Sequence, residues 1–347
     1  KYTTGEPHFI EIGPLPPSEL AEEEIIHLQE IVFHALNTLG IQNGASHSEI
    51  KIDNNGKIKI IEIGGRMGGD LIGSDLVFHS TGYDFLNNFN IEEESLKTAA
   101  KAVEKLKSVD FIGGEYPVII ASGFGAVIFH EACGHGLEAT SVAPKLSIFS
   151  DLIGKKIASK KVTLIDDGTI EKVWGSNIID DEGNSTEKTI LIDKGILKNY
   201  LIDEFSSIKM NMKHNGCGRR QDYDFAPTSR MSNTYLAPGT DKIEDMFNSI
   251  KLGIFCEKLS GGTVNTSTGD FNFAVDTAYL IENGKITDLI KGITLIGNSK
   301  DILHQVEMVS NDLVLSDGYC GSKSGMIPVT IGQPTIKIAK ILVGGKE

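Results

Sequence analysis

The chain has 347 residues, 40 % of them hydrophobic, with a formal net charge of −14 and an isoelectric point near 5.1. That apolar fraction, free of low-complexity tracts, excludes intrinsic disorder, and an acidic balance with no basic stripe argues against nucleic-acid binding. Four cysteines without a Cys-x-x-Cys spacing do not read as a secreted disulfide framework, and no signal-peptide pattern follows Lys1. The longest charge-free apolar run, ending at Phe129, is too short to span a membrane, so a cytoplasmic protein acting away from the bilayer is expected.

The charge is unevenly spread. Residues 1–95 hold 16 acids and 5 bases, a net of −11, leaving only −3 for the remaining 252 residues. Such a shift predicts two domains with a junction near residues 90–97, where Asn87-Asn88-Phe89-Asn90 and Glu92-Glu93-Glu94-Ser95 make a polar break before a helix over 96–106. Within the front piece, residues 49–53 and 57–63 predict a hairpin about Asn55-Gly56. A two-residue loop there sets Asn54 against Lys57 and, counting outward, Glu49 against Glu62. Like charges so paired repel unless a cation lies between them.

Further along, residues 118–121 predict a buried strand and 126–129 the buried start of a helix, joined by Ser122-Gly123-Phe124-Gly125. Directly after comes His130-Glu131-Ala132-Cys133-Gly134-His135, two imidazoles with a carboxylate beside the first, the parts a zinc hydrolase needs. Histidines four apart on a regular helix lie about 40° from each other, whereas five apart lie about 140° apart. A straight α-helix therefore cannot aim both at one ion. Gly134 and Gly136 bracket the second histidine, and the backbone is expected to tighten, widen into a π-like turn or break there, returning His135 to the side of His130.

Short β-like runs at 161–165, 189–192, 274–281, 290–296 and 334–342 fill the rest, with Asp166-Asp167-Gly168 and Glu282-Asn283-Gly284 as turns. The expected fold is α+β, with a mainly antiparallel, curved or barrel-like sheet carrying the metal helix on one side. A third ligand must come from Glu138, Cys133, Cys217, His214, Cys256 or Cys320. Cys320 is favoured because Asp317-Gly318-Tyr319-Cys320-Gly321-Ser322-Lys323-Ser324-Gly325 reads as a polar loop in which a cysteine has little to pack against, unlike Cys256 in its apolar run. Cys133 is expected to point off the metal face. Glu138, three residues after His135, is close enough to be a ligand or to orient one.

From about residue 96 onward the chain resembles the C-terminal domain of the TldD/PmbA metallopeptidases. The likeness rests on His130-Glu131-Ala132-Cys133-Gly134-His135-Gly136-Leu137-Glu138, Asp180-Asp181-Glu182-Gly183, Gly218-Arg219-Arg220, Arg230-Met231-Ser232-Asn233-Thr234-Tyr235, Tyr279-Leu280-Ile281-Glu282-Asn283-Gly284-Lys285 and Gly332-Gln333-Pro334-Thr335, in one order. The resemblance implies one zinc ion held by His130, His135 and Cys320, with Glu131 as the catalytic carboxylate. It also implies pairing with a related TldD/PmbA-family subunit, this chain being the ligand-bearing member. Thr277 stands where the family usually has an acid, and the run from Ser322 to Met326 is less charged than the family pattern.

The front piece resembles the C-terminal lobe of ATP-grasp carboxylate-amine ligases, through Gly5-Glu6-Pro7-His8-Phe9-Ile10-Glu11, His47-Ser48-Glu49-Ile50-Lys51 and Ile61-Glu62-Ile63-Gly64-Gly65-Arg66-Met67-Gly68-Gly69-Asp70. Glu49 and Glu62 would match the magnesium carboxylates and Arg66 a phosphate-side arginine, while Gly64 replaces a common asparagine ligand. The nucleotide-binding upstream lobe has no counterpart here. Residues 1–93 are thus expected to be a truncated ATP-grasp-like lobe, by remnant or fusion, without a competent Mg2+/ATP site, and residues 94–347 the metallopeptidase domain.

The implied chemistry is hydrolysis of unfolded or extended peptides, with Glu131 as general base on a zinc-bound water. Arg219, Arg220, Asn233 and Tyr235 fit either substrate contacts or loop-fixing hydrogen bonds. Two other readings stand beside it: a ligase fragment that still binds magnesium-nucleotide, and a non-catalytic subunit of a paired complex.

Overall fold

The computed structural model describes residues 90–345 without a break and, before them, residues 2–3, 11–13, 47–52 and 58–64 and the helical positions 27, 30–32, 34, 35 and 38. Contacts divide the chain into two compact units, residues 1–76 with 92–102, and residues 77–91 with 103–347. In the first unit Tyr2–Thr3 pairs antiparallel with Glu11–Gly13, and His47–Ile52 pairs antiparallel with Ile58–Gly64.

The second hairpin reaches the expected pairing of Glu49 with Glu62 by a different route. Near the turn Ile52 stands opposite Ile58, not Lys59, and an irregularity between Glu49 and Ile50 then restores the counted register. A bulge of one residue has this effect on an antiparallel ladder. The Asn55-Gly56 turn and Arg66 lie outside the described residues.

Helix α1, Ile91–Lys105, begins about five residues before the expected start. The acidic run taken from sequence as a break forms its first turn, where carboxylates are favoured by the partial positive charge of the helix end.

The second unit is built on strands β1 Val109–Asp110, β2 Gly114–Ile120, β3 Leu164–Asp167, β4 Lys188–Asp193, β5 Ile196–Leu197, β6 Asn233–Leu236, β7 Leu252–Val264, β8 Asp270–Glu282, β9 Lys285–Lys291, β10 Thr294–Asn298, β11 Val314–Ser322, β12 Gly325–Gln333 and β13 Ile336–Gly344. Five of them close on themselves in the order β7-β2-β13-β10-β8, with β8 returning to β7. The barrel is mainly antiparallel, with β2 and β7 parallel. A separate six-stranded sheet runs β11-β12-β6-β3-β4-β5, with β12 and β6 its parallel pair.

Closure follows from local features. Val118, Ile119 and Ile120 at the end of β2 are all 0 % exposed, as suits a strand covered on both faces. Pro117 has no N–H to give, and the register of β13 shifts opposite it, between Ile338 and Ile341. Three further irregularities bend β7 between Cys256 and Gly262. At Gly262 a Cβ would meet the Phe273 ring at 2.1 Å, so only glycine permits that approach.

Two expectations need correction. The run 290–296 is not one strand: Gly292 at φ +67° breaks it into β9 and β10, which pair with opposite ends of β8. Asp166 and Asp167 do not form a turn but lie buried in β3, where Asp166 accepts hydrogen bonds from the Ser232 N–H, the Ser232 hydroxyl and the Thr234 hydroxyl. Tertiary partners override the turn preference of aspartate. The Glu282-Asn283-Gly284 turn forms as read, with Asn283 and Gly284 at φ +50° and +79°. Among the described residues no helix is long and apolar enough to cross a membrane.

Candidate metal centre

Past β2 the chain turns at Gly123, φ +83°, whose N–H donates to the Gln333 carbonyl. It then winds through a 3-10 turn Phe124–Ala126, an α turn Val127–Phe129, a π turn His130–Gly134 and a second 3-10 turn His135–Leu137. Val127, Ile128, Phe129, Ala132, Cys133 and Leu137 bury one face of this segment in the main core. At about 1.5–3 kcal/mol for each large aliphatic or aromatic side chain, that burial anchors a segment too short to be helical alone.

The π turn resolves the spacing of the two histidines. The His135 N–H donates to the His130 carbonyl, an i→i+5 bond that sets the fifth residue back over the first. The rings meet edge to face with centroids 5.0 Å apart. Gly134 does not owe its identity to backbone freedom, since its φ of −53° and ψ of −56° are ordinary. Its place is forced by packing: a Cβ would lie 2.1 Å from the Met231 sulfur.

Cys320 arrives from the other sheet, on β11. Its Sγ lies 3.2 Å from His130 Nε2 and 3.3 Å from His135 Nε2, and the three donor atoms fall within 4.8 Å of one another. The region expected as a loop is a β-hairpin, Val314–Ser322 paired with Gly325–Gln333. Strand alternation turns Cys320 inward against Ile327 and Val329 while Tyr319 and Gly321 stay exposed.

The donors suit zinc. Two imidazole nitrogens and one thiolate on a tetrahedral ion stand roughly 3.5 Å apart, given bonds of about 2.0–2.3 Å, close to the separations seen here. Both histidines turn Nε2 to the sulfur and Nδ1 away. His135 Nδ1 meets Glu138 Oε2 at 3.1 Å, so Glu138 sits behind the ring and orients it. His130 Nδ1 is buried without a hydrogen-bond partner among the described residues.

Burial, with His135 and Arg230 nearby, holds the His130 pKa well below its ordinary value. For His135 burial pulls the same way, but the Glu138 charge and hydrogen bonds donated to Cys320 and Glu138 outweigh it and push the value well up. Burial also raises Glu131, with His135 opposing. The Glu131 carboxylate is 3.9 Å from His135 Nε2 and opens into a cleft of about 430 Å³. Glu131, His135 and Glu138 line one side, Tyr319 and Cys320 another, and Thr263 of β7 a third. Tyr319 is braced by Trp174, whose indole N–H donates to the Gly318 carbonyl.

A model of the PmbA/TldA metallopeptidase C-terminal domain matches residues 113–345. The chain belongs to that family. It is 41 % identical over 283 residues to a metalloprotease TldD homolog of Buchnera aphidicola subsp. Acyrthosiphon pisum, a stretch covering 81 % of this chain and 58 % of that protein. A zinc metalloprotease TldD homolog of Saccharolobus solfataricus is 32 % identical over 273 residues, covering 78 % of this chain and 61 % of the relative. In structure the chain is similar to TldE from Thermococcus kodakarensis, with a TM-score of 0.61 and 23 % identity over 74 % of this chain and 56 % of that one, a likeness of fold. The chain thus spans under two thirds of the length of these proteins.

On this PmbA/TldA-type frame the other candidates fall away from the cleft. Cys133 and Cys256 are wholly buried, with burial raising both thiols, as it does Cys217. His214 pairs with Glu204 at 3.6 Å. Arg219 is buried, with its guanidinium donating to the Met231 and Pro328 carbonyls. Arg220 donates to the Phe225 carbonyl, and Asn233 to the Asp167 carbonyl and Ser176 hydroxyl. Tyr235 sits on β6, opposite Ile165 and Gly332. Arg219, Arg220 and Asn233 bond loops and strands, and none of the four lines the cleft.

One residue escaped the sequence reading. Arg230 is 0 % exposed and donates to the Cys320 carbonyl at 2.6 Å, the Ser324 hydroxyl at 2.8 Å and the Gly325 carbonyl at 3.0 Å. Its Nε lies 3.8 Å from Glu138 Oε1. Its stretch carries part of the family likeness, but nothing local gives the side chain a role, because its side-chain partners are distant along the chain.

Proposed function

We propose that this chain is the metal-bearing part of a zinc-dependent peptidase acting on unfolded or extended peptides, with His130, His135 and Cys320 as ligands and Glu131 as general base. The observation that carries the reading is the convergence of two Nε2 atoms and one thiol sulfur within 4.8 Å, beside a carboxylate at the mouth of a cleft. The family and the name of the Saccharolobus relative point the same way.

Zinc bound by this set would act as a Lewis acid that polarises a carbonyl and lowers the pKa of water. Glu131 takes a proton from the attacking water and returns it to the leaving amine. Glu138 keeps the His135 ring turned so that Nε2 faces the sulfur. The partly open cleft admits a main chain. β11 is the outermost strand of its sheet, and its residues 319–322 border the cleft, so an extended peptide can add there through backbone hydrogen bonds with little demand on sequence.

A related TldD/PmbA-type subunit is the proposed partner, as the fold likeness to TldE suggests. Residues 1–93 are read as a separate ATP-grasp-like lobe in which Glu49, Glu62 and Arg66 are vestigial. Calorimetry with Mg2+/ATP tests that lobe, and no saturable heat is expected. The test of the peptidase is His130→Ala, which is expected to remove both stoichiometric zinc by elemental analysis and cleavage of an unfolded peptide. Unchanged cleavage overturns the proposal.

A further inference from the structure

We infer that Arg230 is the positioning residue that locks the sulfur donor to the imidazole pair, and so sets the metal affinity of the site. The inference rests on the metal reading above and adds to it a residue outside the ligand set.

The two histidines and Cys320 belong to different elements, and nothing covalent near the site joins them. Arg230 makes the join. One arm of its guanidinium grips the carbonyl of the ligand residue itself, and the other holds Ser324 and Gly325 at the hairpin end, so the turn after Cys320 is fixed at both sides. Ser324 is in turn tied to the Thr228 hydroxyl, and its carbonyl accepts from the Gln221 N–H. Along the other direction Arg230 Nε faces Glu138 Oε1, while Glu138 Oε2 holds His135 Nδ1. The path from Cys320 through Arg230 and Glu138 to His135 thus runs through hydrogen bonds at both ends and, between them, a 3.8 Å ion pair of two buried atoms that have no hydrogen-bond partner among the described residues, and His135 Nε2 closes it on the Cys320 sulfur.

Charge explains why the residue is an arginine. With a divalent cation bound, Cys320 would serve as a thiolate ligand, while the Glu138 carboxylate lies behind the His135 ring and, without Arg230, its far oxygen would have no charged neighbour. A buried carboxylate of that kind is costly. Arginine supplies the charge and, at the same time, a planar fork that can serve several acceptors in fixed directions, which lysine cannot.

Arg219 provides the control. It too is a buried arginine bonded to two carbonyls, Met231 and Pro328, but it bonds neither a proposed ligand nor Glu138. The experiment is zinc competition against a chromophoric chelator, together with the thiolate-to-cobalt absorption band of the Co2+-substituted protein, on the full chain well below its melting temperature. Arg230→Lys and Arg230→Gln are expected to weaken zinc binding about 10- to 100-fold, the usual effect of removing a group that orients a ligand, and to alter the cobalt band. Arg219→Lys is expected to lower the melting temperature and, because Met231 adjoins Arg230, to weaken zinc binding by less than the Arg230 variants do, with the cobalt band unchanged. Equal zinc affinity in wild type and Arg230 variants overturns the inference, as does an equal loss in Arg219→Lys. Should the Arg230 variants not fold, Ser324→Ala removes one acceptor and is expected to weaken zinc binding severalfold; no change overturns the inference. A wild-type chain that takes up no zinc overturns the metal reading itself, an outcome separate from those.

Discussion

In the barrel the shielded positions include Val118, Ile120, Phe273, Leu295 and Ile338, in the main apolar core that Leu164, Leu191, Leu197 and Ile331 of the six-stranded sheet also enter. In the six-stranded sheet the central strand β6 shields Asn233 and Thr234, with Asp166, Arg219, Arg230 and Ser324 buried nearby in the same unit. The barrel side supplies the helical segment with both histidines, and the sheet supplies Cys320. Apolar packing is non-directional and tolerates small adjustments, whereas hydrogen bonds fix angles and fail when one partner is lost. The difference places the directional contacts around Cys320 in the sheet and leaves the histidine segment to apolar packing.

The sharpest test of that division is Leu295→Ala, in the barrel and away from the cleft. It is expected to cost about 2–5 kcal/mol in urea unfolding and to leave zinc affinity unchanged. A loss of affinity in the folded variant would erase the distinction. On the other side, Asp166→Ala strands the Ser232 N–H and two hydroxyls and removes the charge beside Arg219. The expected cost is smaller, about 1–3 kcal/mol, yet zinc binding should weaken severalfold because Ser232 follows Arg230 by two residues.

Gly134→Ala probes the seam between the regions, since its Cβ would overlap Met231. Overpacking is expected to cost about 1–3 kcal/mol, and adding Met231→Ala should recover part of it. Absence of recovery would return the glycine to a backbone role.

The smallest expected effect is that of pH. For Asp241 burial raises the pKa, but the Lys161 ammonium and the Val309 N–H outweigh it and hold the carboxyl below its ordinary range. Such a group contributes stability that is present above the unfolded value of about 3.9 and lost as pH falls through the lower folded value. Asp241→Asn should therefore flatten the fall in stability below about pH 4, by less than about 1 kcal/mol, as followed by urea midpoints. An unchanged acid limb would show that this half-buried pair contributes nothing.

Much of the metal segment was legible because its logic is local. Five-residue spacing rules out a straight helix, and the π turn lies within the residues that show the problem. The Asn283-Gly284 turn was equally local. Cys320 was chosen for a reason the structure replaces: it stands in a strand, inward by alternation, and not in a loop. Asp166 misled because the partners of its carboxylate, Ser232 and Thr234, lie 66 and 68 residues away. The split between β9 and β10 hid in Gly292, whose positive φ no apolar pattern predicts.

By itself the sequence determined the kinds of donors, the order of the elements around them and the bend that unites His130 with His135, since each depends on neighbours a few residues apart. Cys320 could be named from its polar setting and the family likeness, but only the tertiary structure decided how its sulfur reaches the two rings and what holds it there. Cys320 lies 190 residues from His130, and Arg230 lies 90 from Cys320. No spacing encodes such meetings, because they follow from closing a barrel and pairing a second sheet, which bring distant polar groups where water cannot satisfy them.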